Sequence, residues 1–119
     1  MQYEYFYGAQ AEQFSFYRIP KALFTEPNFR ELSTDAKVLY GILLDRMSLS
    51  LKNQWLDAQN KVYIIFTVEE IMDALNCANQ KATRLMVELE KRAGLIERKR
   101  QGLGRPNLIY VKNFAATIN

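Results

Sequence analysis

Histidine is missing altogether from the 119 residues, and cysteine occurs once, at Cys77. The first absence removes Ser-His-Asp and Cys-His catalysis, imidazole general-base work and imidazole metal ligation. The second removes any internal disulfide and any cysteine-based zinc cage. A reducing, cytoplasmic setting is expected, with Cys77 a small buried apolar residue rather than a reactive thiol. No apolar run nears the roughly 18 residues that cross a bilayer; Val38–Leu44 and Val62–Phe66 are the longest candidates. The first twenty residues lack the basic start and unbroken apolar stretch of a signal peptide, so neither membrane nor export is expected. What remains is ordinary for a globular chain: 49% apolar and 24% charged residues, enough for one domain around one core.

Charge is small in sum, +3, but unevenly placed. Residues 1–60 carry six basic and seven acidic groups, whereas Ala78–Lys112 carries nine basic against three acidic. A concentrated basic region in an otherwise neutral domain is the electrostatic footprint of a polyanionic partner.

Aromatic residues are also unevenly spread, with seven of fifteen between Tyr3 and Tyr17. Phe14-Ser15-Phe16-Tyr17 alternates as an edge strand does, and Pro20 ends any pairing. Residues 1–20 therefore read as an arm that either covers the core or pairs with a second copy, and Phe14, Phe16 and Tyr17 are the dimerisation candidates. Residues 21–119 read as the domain itself. Ser33-Thr34-Asp35 supplies a hydroxyl cap and an acidic first turn, and Ala36, Leu39, Tyr40, Leu43, Leu44 and Met47 follow at helical spacing. A core helix is predicted over about 34–48, with Gly41 tolerated inside it. Asp57-Ala58-Gln59-Asn60 marks a turn with Trp55 as a lid beside it, and Val62–Phe66 reads as a short buried strand.

Thr67-Val68-Glu69-Glu70 is a capping box, with Phe66 and Ile71 placed as a hydrophobic staple. The short helix it opens ends at Asn76-Cys77-Ala78, and a second helix starts near Asn79. There Ala82, Leu85, Met86, Leu89 and Ala93 share one face. Gln80, Arg84, Val87 and Lys91 share the opposite one, with Lys81, Thr83 and Glu88 at the borders. Gly94 supplies a left-handed stop, and Leu95 can fold back on Leu89. Strands over Leu95–Arg100 and Asn107–Val111 close the domain as an antiparallel hairpin.

Helix, strand, capped helix, tight turn, helix and basic hairpin, in that order, make an α+β winged helix-turn-helix. In such a domain the second helix of the pair stands clear to enter a major groove. Asn79 and Gln80 have the side chains that read adenine edges; Lys81 and Arg84 have those that read guanine. Thr83 and Lys91 share the same surface. Arg98, Lys99, Arg100 and Arg105 on the wing are placed to meet phosphates or to enter a minor groove. Against this stands a plainer reading, in which the polar face is merely solvated and the fold docks another protein. Four cations on one small hairpin, with only Glu97 nearby, favour a polyanion.

Gly102-Leu103-Gly104-Arg105-Pro106-Asn107 starts like a dinucleotide fingerprint but lacks the third glycine and precedes a strand. No P-loop or metal-ligand cluster is present, and the aspartates Asp35, Asp45, Asp57 and Asp73 are scattered. No enzyme, no metal and no cofactor are expected.

Phe14–Phe24 (FSFYRIPKALF), Ser33–Arg46 (STDAKVLYGILLDR), Val62–Glu70 (VYIIFTVEE) and Arg98–Val111 (RKRQGLGRPNLIYV) resemble the N-terminal domain of the replication initiator A family. Its members serve low-copy, theta-replicating plasmids of Gram-positive bacteria, staphylococci among them. The resemblance implies binding of repeated duplex sites at the plasmid origin, within the initiator's own coding region. It also implies a separate C-terminal domain, absent from this chain, that engages host replication proteins. A transcriptional repressor of the same fold is the alternative, separable by where it sits on DNA. A two-fold dimer built through the aromatic arm is expected, each subunit holding its own site so that one dimer bridges two DNA segments.

Overall fold

The computed structural model describes residues 2–8 and 13–115. Pro20 leads into a single helical turn, α1 (Ala22–Thr25), and Pro27–Phe29 forms a 3-10 turn. Between them they drive Leu23 and Phe29 into the core. The long helix α2 (Thr34–Lys52) begins as its sequence predicts, with the Ala36 N–H donating 3.1 Å to the Ser33 hydroxyl. It runs four residues beyond the predicted end and stops at Asn53, whose N–H bonds the Leu49 carbonyl. Ala36, Leu39, Tyr40 and Leu43 are buried as their spacing requires. Tyr40 is anchored at both ends. Its ring lies 5.9 Å from that of Phe114, its hydroxyl donates to the Lys112 carbonyl at 2.8 Å, and burial pushes its pKa up to about 12.

Gly41 has a specific reason to lack a side chain. A Cβ there meets Ile19 Cγ1 at 2.8 Å and the Arg18 carbonyl oxygen at 3.0 Å, so the base of the arm lies directly on the helix. Alanine gains about 1 kcal/mol of helix propensity over glycine. Displacing the Ile19 side chain and the Arg18 carbonyl costs more, so Gly41→Ala is expected to destabilise by about 1–2 kcal/mol. It should also speed trypsin cleavage after Arg18. Urea unfolding and limited proteolysis check both outcomes.

Residues 53–66 are tied together by Asp57. One carboxylate oxygen accepts from the Gln59 and Lys61 N–H groups at 2.9 and 2.8 Å, and the other accepts from the Tyr110 hydroxyl at 3.0 Å. These bonds, led by that from Lys61, hold the Asp57 carboxyl below its usual range; burial, with this carboxylate beside it, raises Tyr110. Trp55 is half-buried and stacks on Tyr63 with ring centroids 6.2 Å apart.

The expected strand over Val62–Phe66 is reduced to single-residue bridges, Leu56 with Val62 and Ile64 with Ile109. The reason is that successive residues turn to opposite edges. The Tyr63 N–H bonds the Trp55 carbonyl, while Ile64 exchanges two 2.9 Å bonds with Ile109. Ile64 thus adds a third, one-residue rung to the hairpin of β1 (Ile96–Lys99) and β2 (Leu108–Val111). That hairpin is antiparallel, from Ile96 opposite Val111 to Lys99 opposite Leu108.

The helix pair follows. Helix α3 (Val68–Leu75) opens on the full capping box of Thr67 and Glu70, and Phe66 and Ile71 are both buried beside it. It ends on Asn76 at φ 51°, a left-handed residue whose short polar side chain tolerates the position. Helix α4 (Asn79–Val87) then packs Ala82, Leu85 and Met86 inward. A π-helical turn, Glu88–Arg92, continues it. Gly94 at φ 65° reverses the chain, and the Leu95 N–H reaches back to the Leu89 carbonyl at 2.8 Å. Cys77 is half-buried against the core. In the arm, residues 14–17 are irregular and exposed, with Phe14 and Phe16 in edge-to-face contact at 6.3 Å.

Candidate nucleic-acid interface

Most of the residues singled out from the sequence are exposed, on the second helix of the pair and on the hairpin packed against its end. Asn79, Gln80, Thr83, Arg84 and Lys91 are exposed along α4 and its π turn, and Lys81 is half-buried. Exposed Lys99, Arg100 and Arg105 stand on the adjoining hairpin. Ala78 provides no side-chain cap, and the first N–H to close a turn is that of Ala82, onto the Ala78 carbonyl at 3.1 Å. The N–H groups ahead of it therefore point out of the helix, a natural seat for an anionic oxygen.

Several of these side chains already have partners. Lys81 forms a 2.7 Å ion pair with Asp35 in the first turn of α2, and both are substantially exposed. A pair of that kind is weak and exchanges readily for another anion. Asn79 accepts from the Thr83 hydroxyl at 3.5 Å, a long contact that leaves its amide NH2 free. Among the described residues Gln80, Arg84, Lys91, Lys99, Arg100 and Arg105 have no side-chain ion pair or hydrogen bond within the protein.

Arg98 differs from its neighbours on the wing. Its guanidinium donates to Glu90 Oε1 at 2.8 and 3.1 Å, and its backbone N–H donates to Glu90 Oε2 at 3.0 Å. The pair is three-quarters or more shielded from solvent. Arg98 thus fastens the wing to the end of the second helix. Its bonds, with the nearby charges of Arg98 and Lys91 adding to them, hold the Glu90 carboxyl below its usual range against the opposing effect of burial. A carboxyl depressed in the folded state contributes stability in full above its unfolded value of about 4.3. That contribution is lost as the pH falls through the lower folded value. Amide protection of Ile96–Lys99, taken relative to the intrinsic exchange rate at each pH, should accordingly hold from neutrality down to the ordinary glutamate range and fall below it. In Glu90→Gln it should lack that acid step.

Glu88 makes a second fastening that the helical spacing does not disclose. A regular helix puts Glu88 at the border of the polar face, but the side chain is buried. It accepts from both the N–H and the hydroxyl of Ser33 at 2.9 Å. The residue that caps α2 therefore also receives the carboxylate of the second helix of the pair. Two glutamates, two residues apart, hold that helix to α2 on one side and to the wing on the other.

The family model for the N-terminus of replication initiator protein A matches residues 15–119. The chain belongs to that family. Relatives agree in fold and sequence together. A solved N-terminal domain of a DNA-binding protein is 39% identical, with a TM-score of 0.78 over 98% of this chain and 88% of that one. A structure of a Rep–DNA complex is 38% identical, with a TM-score of 0.78 over 97% of this chain and 88% of that one. A structure of an MDR initiator is 40% identical, with a TM-score of 0.75 over 96% and 89%. A 41 kDa protein of Lactobacillus helveticus is 32% identical over 92 residues, which are 77% of this chain and 26% of that protein. The chain thus spans about a quarter of the curated relative it matches.

As an initiator N-terminal domain, it is an α+β fold consistent with a winged helix, and the pair α3–α4 with its hairpin carries six exposed polar or basic side chains that are unpaired among the described residues. No helix among the described residues is long and apolar enough to cross a membrane. Two exposed apolar side chains on these elements are not among the residues the sequence points to: Val87 on α4, 39% exposed, and Leu103 at the tip of the hairpin. Val87 is legible on the helical wheel, since it falls beside Arg84 and Lys91. Nothing in periodicity marks Leu103; only its two flanking glycines hint that the tip projects.

Proposed function

We propose that this chain is the DNA-binding domain of a plasmid replication initiator, and that it recognises repeated duplex sites at the plasmid origin. The observation that carries this reading is the likeness, over 97% of the chain, to an initiator solved with DNA, combined with a surface of unpaired cations on α4 and the wing. In this reading α4 lies in a major groove. Gln80, Arg84 and Asn79 meet base edges, Thr83, Lys81 and Lys91 lie along its flanks, and Lys99, Arg100 and Arg105 meet the backbone or the neighbouring minor groove. Arg98 acts through Glu90 as a positioning residue. The domain works in the cytoplasm without catalysis or cofactor, and contact with host replication proteins belongs to a C-terminal domain outside this chain.

The aromatic arm supports a homodimer. Tyr5, Phe6, Phe14, Phe16 and Tyr17 are each more than half exposed, an apolar surface that a second copy covers. A dimer joined there lets each subunit hold its own site, so two DNA segments are bridged. Sizing of the intact chain and of Phe14→Ser/Phe16→Ser checks the arm, with loss of the dimer as the expected result.

Footprinting across the plasmid that carries this reading frame tests the function. Protection of a repeated sequence within the replication region is the expected result. Protection over a promoter alone would favour a repressor, and no retention on any duplex at low salt would favour protein docking.

A further inference from the structure

The hairpin tip carries a side chain that neither the fold nor the cation set uses. Leu103 is fully exposed, at 103%, more so than any other large apolar residue among those described. It stands between Gly102 at φ 118° and Gly104 at φ 75°. A Cβ built on either glycine finds nothing within 4 Å, so open space surrounds the tip. The turn is nonetheless fixed. Gln101 Nε2 donates to the Pro106 carbonyl at 2.7 Å, and the Arg105 N–H donates to the Gly102 carbonyl at 3.3 Å. Lys99, Arg100 and Arg105 stand exposed around its base.

From this arrangement we infer that Leu103 is a minor-groove wedge, entering the duplex beside the segment read by α4 and bending it. The inference rests on the DNA-binding reading above. A protein-docking patch needs contiguous apolar surface, but the neighbours of Leu103 are glycines, a glutamine and cations. A minor groove supplies the complementary surroundings: anionic walls for the cations and a floor of sugars and base edges for the leucine. At roughly 6 Å wide it admits only a slim tip, and the paired glycines make this one slim. An apolar side chain pressed against a base step unstacks it and kinks the helix. The two glycines then serve to present the leucine, and the Gln101–Pro106 bond keeps the tip from folding away.

The test uses the intact chain, Leu103→Ala and Leu103→Met, with short duplexes tiled across the DNA that encodes this chain. Each duplex is labelled at its ends with a donor and an acceptor, and affinity is read at several salt concentrations. Wild type and Leu103→Met should shorten the end-to-end distance of the bound duplex. Leu103→Ala should bind roughly tenfold more weakly, with an unchanged salt slope and no shortening. Equal shortening by Leu103→Ala overturns the inference, as does wild-type binding without shortening. A change confined to self-association of Leu103→Ala, seen by sedimentation without DNA, would assign the tip to a protein contact and overturn it too. Failure of wild type to bind any duplex rejects the DNA-binding reading itself, a result distinct from binding without bending.

Discussion

Replacing Glu88 with alanine should lower the unfolding free energy by about 2–3 kcal/mol, because it removes two charge-assisted bonds and leaves the Ser33 N–H short of a partner in a part-buried site. The Ser33 hydroxyl still caps α2, so the loss falls on the junction between α2 and the π turn and spares the cap itself. Glu88→Gln keeps one good acceptor oxygen and should recover about half of the loss. Urea unfolding with an unchanged denaturant slope is the check, since a changed slope would mean that the folded or unfolded ensemble had altered in compactness. The functional consequence follows from the placement. Glu88 fixes the far end of the α4 helix, and a helix free to tilt cannot hold its exposed face in register with base pairs.

Arg84→Ala should produce the largest loss of specificity, about 1–3 kcal/mol, which is roughly 5- to 150-fold in the preference for the cognate site. Arg84 is exposed on the outer face of α4 and has no side-chain partner among the described residues, so its guanidinium is available to a guanine edge. Nonspecific affinity should change far less. Wing substitutions should behave in the opposite way. Neutralising Lys99, Arg100 or Arg105 should weaken binding to every duplex and reduce the slope of log affinity against log salt by about 0.9 for each phosphate left without its cation. Arg98→Ala should fit neither pattern. Its charge is already committed to Glu90, so the expected effect is a looser wing with little change in salt slope. Competition binding at several salt concentrations separates the three classes.

Much of the fold is legible in the sequence because local signals agree with one another. The hydroxyl cap at Ser33, the capping box at Thr67–Glu70 and the left-handed Gly94 each fix an element boundary through a hydrogen bond made within a few residues. The apolar spacing of α2 and α4 names most of the core for the same reason. What is not legible depends on distant partners. Val62–Phe66 has strand composition, but its backbone groups divide between the Trp55 turn and Ile109, and no local pattern reveals that division. Glu88 sits where a regular helix keeps a charge at the surface, and only the arrival of Ser33 from 55 residues away makes its burial tolerable. Gly41 reads as merely tolerated within its helix, whereas the Ile19 side chain and the Arg18 carbonyl lying on it leave no room for a side chain.

The candidate site divides in the same manner. Residue type and helical phase are enough to place Gln80, Arg84 and Lys91 on one exposed face. They cannot show that Arg98 is committed to Glu90 while Lys99 and Arg100 beside it have no side-chain partner among the described residues, because that choice is made by a strand register and a π turn acting together. Lys81 is intermediate, since its exposed pair with Asp35 is readily exchanged. Four wing cations that look equivalent in sequence therefore have two roles, one structural and one open to an anion.

Whether α4 and the wing form the surface that meets DNA is tested most directly by backbone amide shifts of the labelled chain titrated with a duplex from its own replication region. At 13.9 kDa the chain is small enough for every amide to be followed. The largest shifts should fall on Asn79–Val87 and on residues 99–107, with smaller ones at Glu90 and Arg98 where the wing is fastened. Shifts confined to the aromatic arm or to the Trp55–Tyr63 face, with α4 and the wing unmoved under saturating duplex, would contradict it.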